Sequence, residues 1–440
     1  MMKKDYTIKM NCLMCLMMIA STMVVIQIAR RELFLLMQIL FCAIMLIYKK
    51  KVILFEHKMI NFLFITVGLS AVSACVEDLP YSYQKAAVVM TIFLIPLYFA
   101  LSYIYDLLKK DHQVLRVIIK GFKITCMIQL LWIPLQYVLY HFIGLDINKV
   151  LFVDLFHFVE NATFIRDWSY YPSGLTWHSA VLAPMFVLAI VLFKNPLIRA
   201  LVVFDAIICG NSTSLIGVCI CIALLFFFYL KKNIIRIRLS KLQLVFLGIL
   251  GVAALAIMAR FGIINMIWER IMYLYMRLFG EQQDASTAAH FSYFTDYFKV
   301  LPNSSPLQII FGYGYGCSGY PISVMYDRYT ELGNWAIECD IINILMSRGV
   351  AGFLAHYALL FYVCIKGIKI DYRYPAVMIP ILIQGIGYNV QWDYVLFMEI
   401  LMFLTIKMRI NFFESVAEDR PVWIKTDEEV EAIDKQEGLA

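Results

Sequence analysis

Long apolar stretches separated by short polar interruptions run the length of this chain. They stand at about 10–29, 33–48, 59–76, 86–104, 117–142, 177–193, 197–210, 213–230, 242–260, 336–365, 374–391 and 393–406. A hydrocarbon core of about 30 Å is crossed by roughly 20 apolar residues in a helix, fewer in a half-helix. The pattern therefore predicts an all-α, polytopic integral membrane protein with about 12 transmembrane helices. The first stretch lacks a small-residue cleavage site and a second follows at once, so it reads as a retained span and not a signal peptide. The stretch 197–210 is short and carries Asp205, and the last two spans are separated only by the turn Gln391-Trp392-Asp393-Tyr394. No repeat relates the two halves of the chain.

Charge orients this pattern. Lysine and arginine gather in every second interruption, at Lys49 to Lys51, Lys109-Lys110, Lys194 to Arg199, Lys231 to Lys241, Lys366 to Arg373 and Lys407 to Arg409. Basic loops stay cytoplasmic, which places both termini inside and 27 of the 38 cations on the cytoplasmic side. The other 11 are Arg30, Arg31, Lys85, Lys149, Arg166, Arg260, Arg270, Arg277, Lys299, Arg328 and Arg348. Several of these cluster between 260 and 335. A membrane crossed many times, with both termini on its cytoplasmic side, is the expected location.

A composition of 62% hydrophobic and 16% charged residues removes a soluble fold. The net charge of +6 sits at membrane edges, where anionic headgroups account for it, so no nucleic-acid partner is expected. Most of the eleven cysteines lie in apolar spans as small hydrophobes. Cys12-x-x-Cys15 has metal-like spacing but no accompanying histidine, and no metal is expected. Cys317 and Cys339 flank the second external region, where free thiols are the expectation and a disulfide is the alternative.

Two external loops stand out, 143–176 and 261–335. They divide the chain into a block 1–260 holding nine spans and the first loop, the large loop 261–335, three further spans over 336–406, and a cytoplasmic tail 407–440 that is polar and mostly acidic from Glu414. The large loop is too long for a simple connection and is rich in Tyr, Phe, Trp, Met and Ile. Residues 263–279 and 290–300 read as amphipathic helices on the membrane surface, with Ser304-Ser305-Pro306 and the run from Gly312 to Gly319 as breakers.

No phosphate loop, no Asp-x-Asp pair and no His-Glu-x-x-His pattern is present, so any chemistry proceeds without bound nucleotide, cofactor or metal. What remains are polar groups on the external side. Arg270 and Arg277 are two helical turns apart on one face, where two guanidiniums grip a diphosphate or, alternatively, pair with Glu269, Glu281 or lipid phosphates. The span 336–365 opens with Glu338, Asp340, Asn343 and Arg348, ionisable groups at a depth where a site or pathway is the usual reason; a structural Glu–Arg pair is the alternative. Gly349 lies eleven positions after Glu338, which predicts a shared helical face with close packing at Gly349 and Gly352. The stretch from Arg166 to His178 and Ser179 brings an arginine, a histidine and several aromatic rings to a span boundary, suited either to sugar faces or to an interfacial belt. His290 is a further phosphate-binding candidate or an ordinary hydrogen-bonded histidine.

In combination these features resemble the O-antigen polymerase/ligase superfamily, across about 20–406. The resemblance rests on the twelve-span pattern with a large loop before a charged helix and on Arg166…Gly174…His178-Ser-Ala, with Trp177-His178 where the family carries Pro-Asn. It rests also on Phe311-Gly-Tyr-Gly-Tyr-Gly316, similar to a late Gly-x-Gly turn, and on Glu338-x10-Gly349, where ligases carry His-x10-Gly. Arg270-x3-Leu274 is similar to the ligases' short Arg-x3-Leu. Three departures stand beside it. Glu338 replaces a histidine, which favours polymerase over ligase; Asn211-Ser-Thr-Ser lacks the arginine of Ser-Arg-Thr; and His290 stands where arginine is usual. The resemblance implies a GT-C-like fold and a metal-independent glycosyltransferase. Such an enzyme polymerises undecaprenyl-diphosphate-linked oligosaccharide for O-antigen lipopolysaccharide, capsule or exopolysaccharide, with a chain-length regulator and a flippase as partners. It implies Glu338 as proton acceptor and Arg270, Arg277, Arg348, His290, Arg166 and His178 as substrate-binding residues. A ligase of the same superfamily and a lipid-linked sugar transporter are the rival readings; a transporter is expected to show matched halves with charges at mid-membrane.

Overall fold

The computed structural model describes residues 2–28, 31–159, 165–166, 169–233, 285–325, 337–390 and 393–414. The span expected at 242–260, the amphipathic segment 263–279 with Arg270 and Arg277, and the tail beyond 414 lie outside the described residues.

The described chain is almost wholly helical. In order it forms α1 (Met2–Ala20), α2 (Leu33–Lys49), α3 (Lys58–Val76), α4 (Tyr81–Leu108), α5 (Gln113–Val138), α6 (Ala183–Leu192), α7 (Pro196–Ile208) and α8 (Ser212–Asn233). Then follow α9 (Ala285–Val300), α10 (Pro306–Phe311), α11 (Tyr320–Met325), α12 (Asp340–Gly367), α13 (Arg373–Gly387) and α14 (Asp393–Lys407). Among the described residues four helices, Lys58–Val76, Tyr81–Leu108, Ser212–Leu230 and Asp340–Gly367, are long and apolar enough to cross a membrane. Shorter apolar helices include Met10–Ala20, Leu33–Lys49 and Ser179–Leu192. Outward-facing Ile47, Phe226, Phe227 and Leu354 are exposed, as befits a surface solvated by lipid.

Three element boundaries differ from the sequence expectation. Helix α1 stops at Ala20 instead of running to 29. Beyond it the β-branched residues Thr22, Val24, Val25, Ile26 and Ile28 turn into a short ribbon, β1 (Gln27–Ile28) against β2 (Arg31–Glu32). The Thr22 carbonyl accepts from Gln129 Nε2 at 2.8 Å, and its hydroxyl meets that of Thr125 at 2.7 Å. The span expected from 177 begins as extended chain, passes through a 3-10 turn (Ser179–Leu182) and becomes α-helical only at Ala183. Helix α12 starts at Asp340 and is broken at Gly349, whose φ of 64° and ψ of −171° are not helical.

Helix α5 packs along α1, so closely at Gly121 that an added Cβ would meet the Cys15 carbonyl oxygen at 2.5 Å. Helix α12 packs against α3, α10, α13 and α14, and α13 against α8 and α6. Gln384 of α13 ties these together by donating to the carbonyls of Ala183 (3.1 Å) and Thr213 (3.2 Å). One continuous apolar core joins α1, α2, α4, α5, α6, α12, α13 and α14. At one end of this bundle basic groups gather: Lys49 pairs with Asp106 at 2.8 Å, Lys109 with Glu56 at 2.6 Å, and Arg373 with Asp371, while Lys407 lies 4.5 Å over the Tyr362 ring. These cations come from loops that the charge pattern assigns to the cytoplasm.

Candidate functional site

The opposite end carries the polar groups. Non-helical backbone there needs partners, because lipid supplies none. Residues 171–178 obtain them from α5: Gln129 Oε1 accepts from Leu175 N and Gln136 Oε1 from Gly174 N, both at 2.7 Å. Asn148 Nδ2 donates to the Gly174 carbonyl at 2.7 Å, and Trp132 Nε1 to Asn148 Oδ1 at 2.9 Å. Gly174 has φ +64°, and a Cβ there would run into Gln129 Oε1. The loop is thus clamped at Gly174, and it delivers Trp177 and His178 in fixed positions.

His178 caps the turn that leads into α6: its Nδ1 accepts from Ala180 N at 3.1 Å, so the neutral ring carries its proton on Nε2. Its ring stacks on Tyr388 with centroids 5.4 Å apart and planes 6° from parallel. Trp177, exposed, lies 6.1 Å from His178. The Glu338 carboxylate is within electrostatic reach of the Tyr388 phenol and also of Tyr293 on α9. Burial, with Glu338 adding, pushes the Tyr293 phenol up. Glu338 and His178, far apart in sequence, therefore converge on Tyr388.

Glu338 itself is exposed and precedes α12, and Gly349 breaks that helix, so the two do not share a helical face as expected. The break belongs to a close approach of two chain segments. Gly312 ends α10 with φ 83°, and its Cα faces the Ser347–Arg348 peptide; Gly349 faces the Ile310 carbonyl in return. Tyr313 N donates to Met346 O at 2.7 Å and Gly314 N to Ser347 O at 3.1 Å. A capping box at Ser305 and Gln308 starts α10, in keeping with the expected Ser304-Ser305-Pro306 break. Tyr315 N is held by Ser70 Oγ at 3.1 Å, and Ser318 Oγ accepts from Ile337 N at 2.9 Å, which anchors the approach to α12.

Arg348 follows from this packing. It is only 3% exposed, its Nε lacks a hydrogen-bond partner among the described residues, and its guanidinium lies 5.7 Å from the Tyr315 ring. Among the described residues it makes no ion pair, so the alternative of a structural Glu338–Arg348 pair is not found. Gly352 makes room for its aliphatic stem. Deeper on α12, His356 is fully buried, and neither ring nitrogen has a hydrogen-bond partner among the described residues.

The remaining expected residues are placed in part. Arg166 is in β3 (Ile165–Arg166), paired antiparallel with β4 (Ser169–Tyr170), and His290 is in α9; neither side chain is among those described. Arg270 and Arg277 lie outside the described residues. Cys317 and Cys339 are buried thiols with no disulfide between them, and the Cys317 thiol donates to the Tyr83 carbonyl at 3.4 Å. Sequence reasoning missed Glu32, Tyr315, Tyr388, Asp393 and His356 as members of this end. Glu32 and Asp393 interact electrostatically; burial, with Asp393 adding, raises the Glu32 carboxyl to about 8.

No protein-family model matches the chain, and no curated protein matches it.

Proposed function

We propose that this protein is a glycosyltransferase of the external membrane face that polymerises oligosaccharide units carried on a polyprenyl diphosphate. In this reading the chain crosses a bacterial cytoplasmic membrane about twelve times in a GT-C-like arrangement with both termini inside. The observation that carries it is the convergence of Glu338, Tyr388 and His178 from three separate segments at the end of the bundle away from the basic loops. Glu338, exposed and beside two phenols, takes the proton of an acceptor hydroxyl. The hydroxyl oxygen then bonds to the anomeric carbon of the donor, whose bond to the lipid diphosphate breaks with the electron pair leaving on the diphosphate oxygen. His178, donating from Nε2, and the exposed Trp177 hold sugar; Arg270 and Arg277 balance the charge growing on the leaving group. The test is purified full chain with lipid-linked repeat units, read as a glycan ladder on a gel. A ladder that vanishes in Glu338→Gln supports the reading; single-unit transfer to a different acceptor makes the protein a ligase, and no transfer at all rejects it.

A further inference from the structure

We infer that Glu32, Tyr315, Asp340, Arg348 and Asp393 form a saccharide subsite that takes a neutral, hydroxyl-rich sugar ring. The inference rests on the glycosyltransferase reading for the source of that sugar, but its geometry is independent of Glu338.

The five groups come from four distant segments. Glu32 ends the ribbon before α2, Tyr315 sits between Gly314 and Gly316, Asp340 and Arg348 are on α12, and Asp393 opens α14. All four charged groups act on the one Tyr315 phenol, which burial, then Asp393, pushes up and Arg348 opposes. Asp340 and Arg348 are buried, at 2% and 3% exposure, whereas Glu32, Tyr315 and Asp393 are half-buried.

The hydrogen bonding of Arg348 is incomplete as it stands. A buried guanidinium nearly always has its N–H groups paired, yet Arg348 Nε has no hydrogen-bond partner and the side chain no ion pair among the described residues. The surrounding groups decide what completes it. One cation stands among three carboxyl groups around Tyr315, one of which, Glu32, burial and then Asp393 raise to about 8. An oxyanion only accepts and has nothing to give to these carboxyl oxygens, so the diphosphate belongs elsewhere. A metal ion is also a poor fit, since no three His, Cys, Asp or Glu among the described residues come close enough to share one. Sugar hydroxyls both donate and accept. Arg348 only donates, the carboxyl oxygens of Asp340 and Asp393 accept, and protonated Glu32 does both. The Tyr315 ring adds an aromatic surface for sugar C–H groups.

The test is saturation-transfer NMR on the full chain in lipid nanodiscs, with D-glucose, D-galactose, D-mannose and N-acetyl-D-glucosamine as probes and inorganic diphosphate as the anionic control. At least one sugar is expected to receive saturation. Its signal should fall at least fivefold in Tyr315→Ala, stay within twofold in Tyr315→Phe, and fall at least threefold in Asp393→Asn, an isosteric change that keeps the fold if the alanine variant does not. Three results overturn the proposal: no sugar responds, the signals are indifferent to Tyr315→Ala and Asp393→Asn, or diphosphate binds in an Arg348-dependent way. Sugar binding without a glycan ladder would sink the polymerase reading alone, and a ladder without Tyr315-dependent binding would sink this one alone.

Discussion

Replacing Gly349 by alanine isolates the feature that sets Arg348 in place. At φ 64° and ψ −171° the residue occupies a region that is essentially glycine-only, at a cost of about 1–3 kcal/mol for any other residue. A Cβ there would also press on the Ile310 carbonyl and approach Phe311 N to 2.5 Å. These are backbone atoms held by the Tyr313–Met346 and Gly314–Ser347 hydrogen bonds, so they cannot turn aside as a side chain would. Overpacking of this kind adds about 1–3 kcal/mol, which brings the expected loss to roughly 2–6 kcal/mol. Gly68 is the internal control. It lies inside α3, and a methyl group added there would meet nothing within 4 Å, so Gly68→Ala should stabilise by about 0.8–1 kcal/mol through helix propensity. Graded SDS denaturation in mixed micelles, followed by circular dichroism, measures both. If Gly349→Ala is no less stable than Gly68→Ala, the account of the α10–α12 contact is wrong.

Asp205 on α7 is fully buried, with neither carboxyl oxygen hydrogen-bonded among the described residues, so Asp205→Leu should stabilise by about 1–3 kcal/mol in the same denaturation assay; destabilisation would mean that the carboxyl has a partner. Glu32 has a carboxyl raised from 4.5 to about 8 on folding, which favours the folded state below 4.5 and withdraws that contribution as pH rises through about 8; wild-type stability should therefore decline from pH 5 to 8, and Glu32→Gln should flatten the decline. If Glu338 takes the proton of the acceptor hydroxyl, Glu338→Gln should slow chain extension on the order of 10²–10⁴-fold at unchanged folded yield, and a fall in yield on gel filtration would return Glu338 to a structural role.

Apolar length made the helices legible, and the places where it misled have physical causes. The stretch 10–29 is apolar throughout, but the stop at Ala20 is made by Gln129 and Thr125, more than a hundred residues on, whose side chains take the Thr22 polar groups. Such a partner has no local signal. Gly349 in an apolar run reads as a small packing residue, and only the facing Gly312 turns it into a break. Within the candidate site, Glu338, Arg348 and His178 were legible because a charge or a histidine inside or beside an apolar span is conspicuous. Glu32 and Asp393 were not, since a carboxylate at the edge of a span reads as solvated. Nothing local marks Tyr388, whose place at the site depends on its stacking against His178.

The two groups of carboxyls at this end suit different tasks, and their surroundings decide which. A proton acceptor has to be ionised before the acceptor hydroxyl arrives, which favours Glu338, exposed to solvent at the start of α12. Glu32 fails that requirement at neutral pH: raised to about 8 by burial and then by Asp393, it is mainly a protonated donor. Asp340 is 2% exposed, and Gly385 packs against its side chain, with Asp340 Cβ 3.1 Å from where a Cβ would be. Carboxyls of this second kind hold a ligand better than they attack it. Arg348 lies on their side of the division, over Tyr315 and among these carboxyl groups, which is the reason for assigning it to a neutral sugar in preference to the diphosphate that its charge alone would suggest.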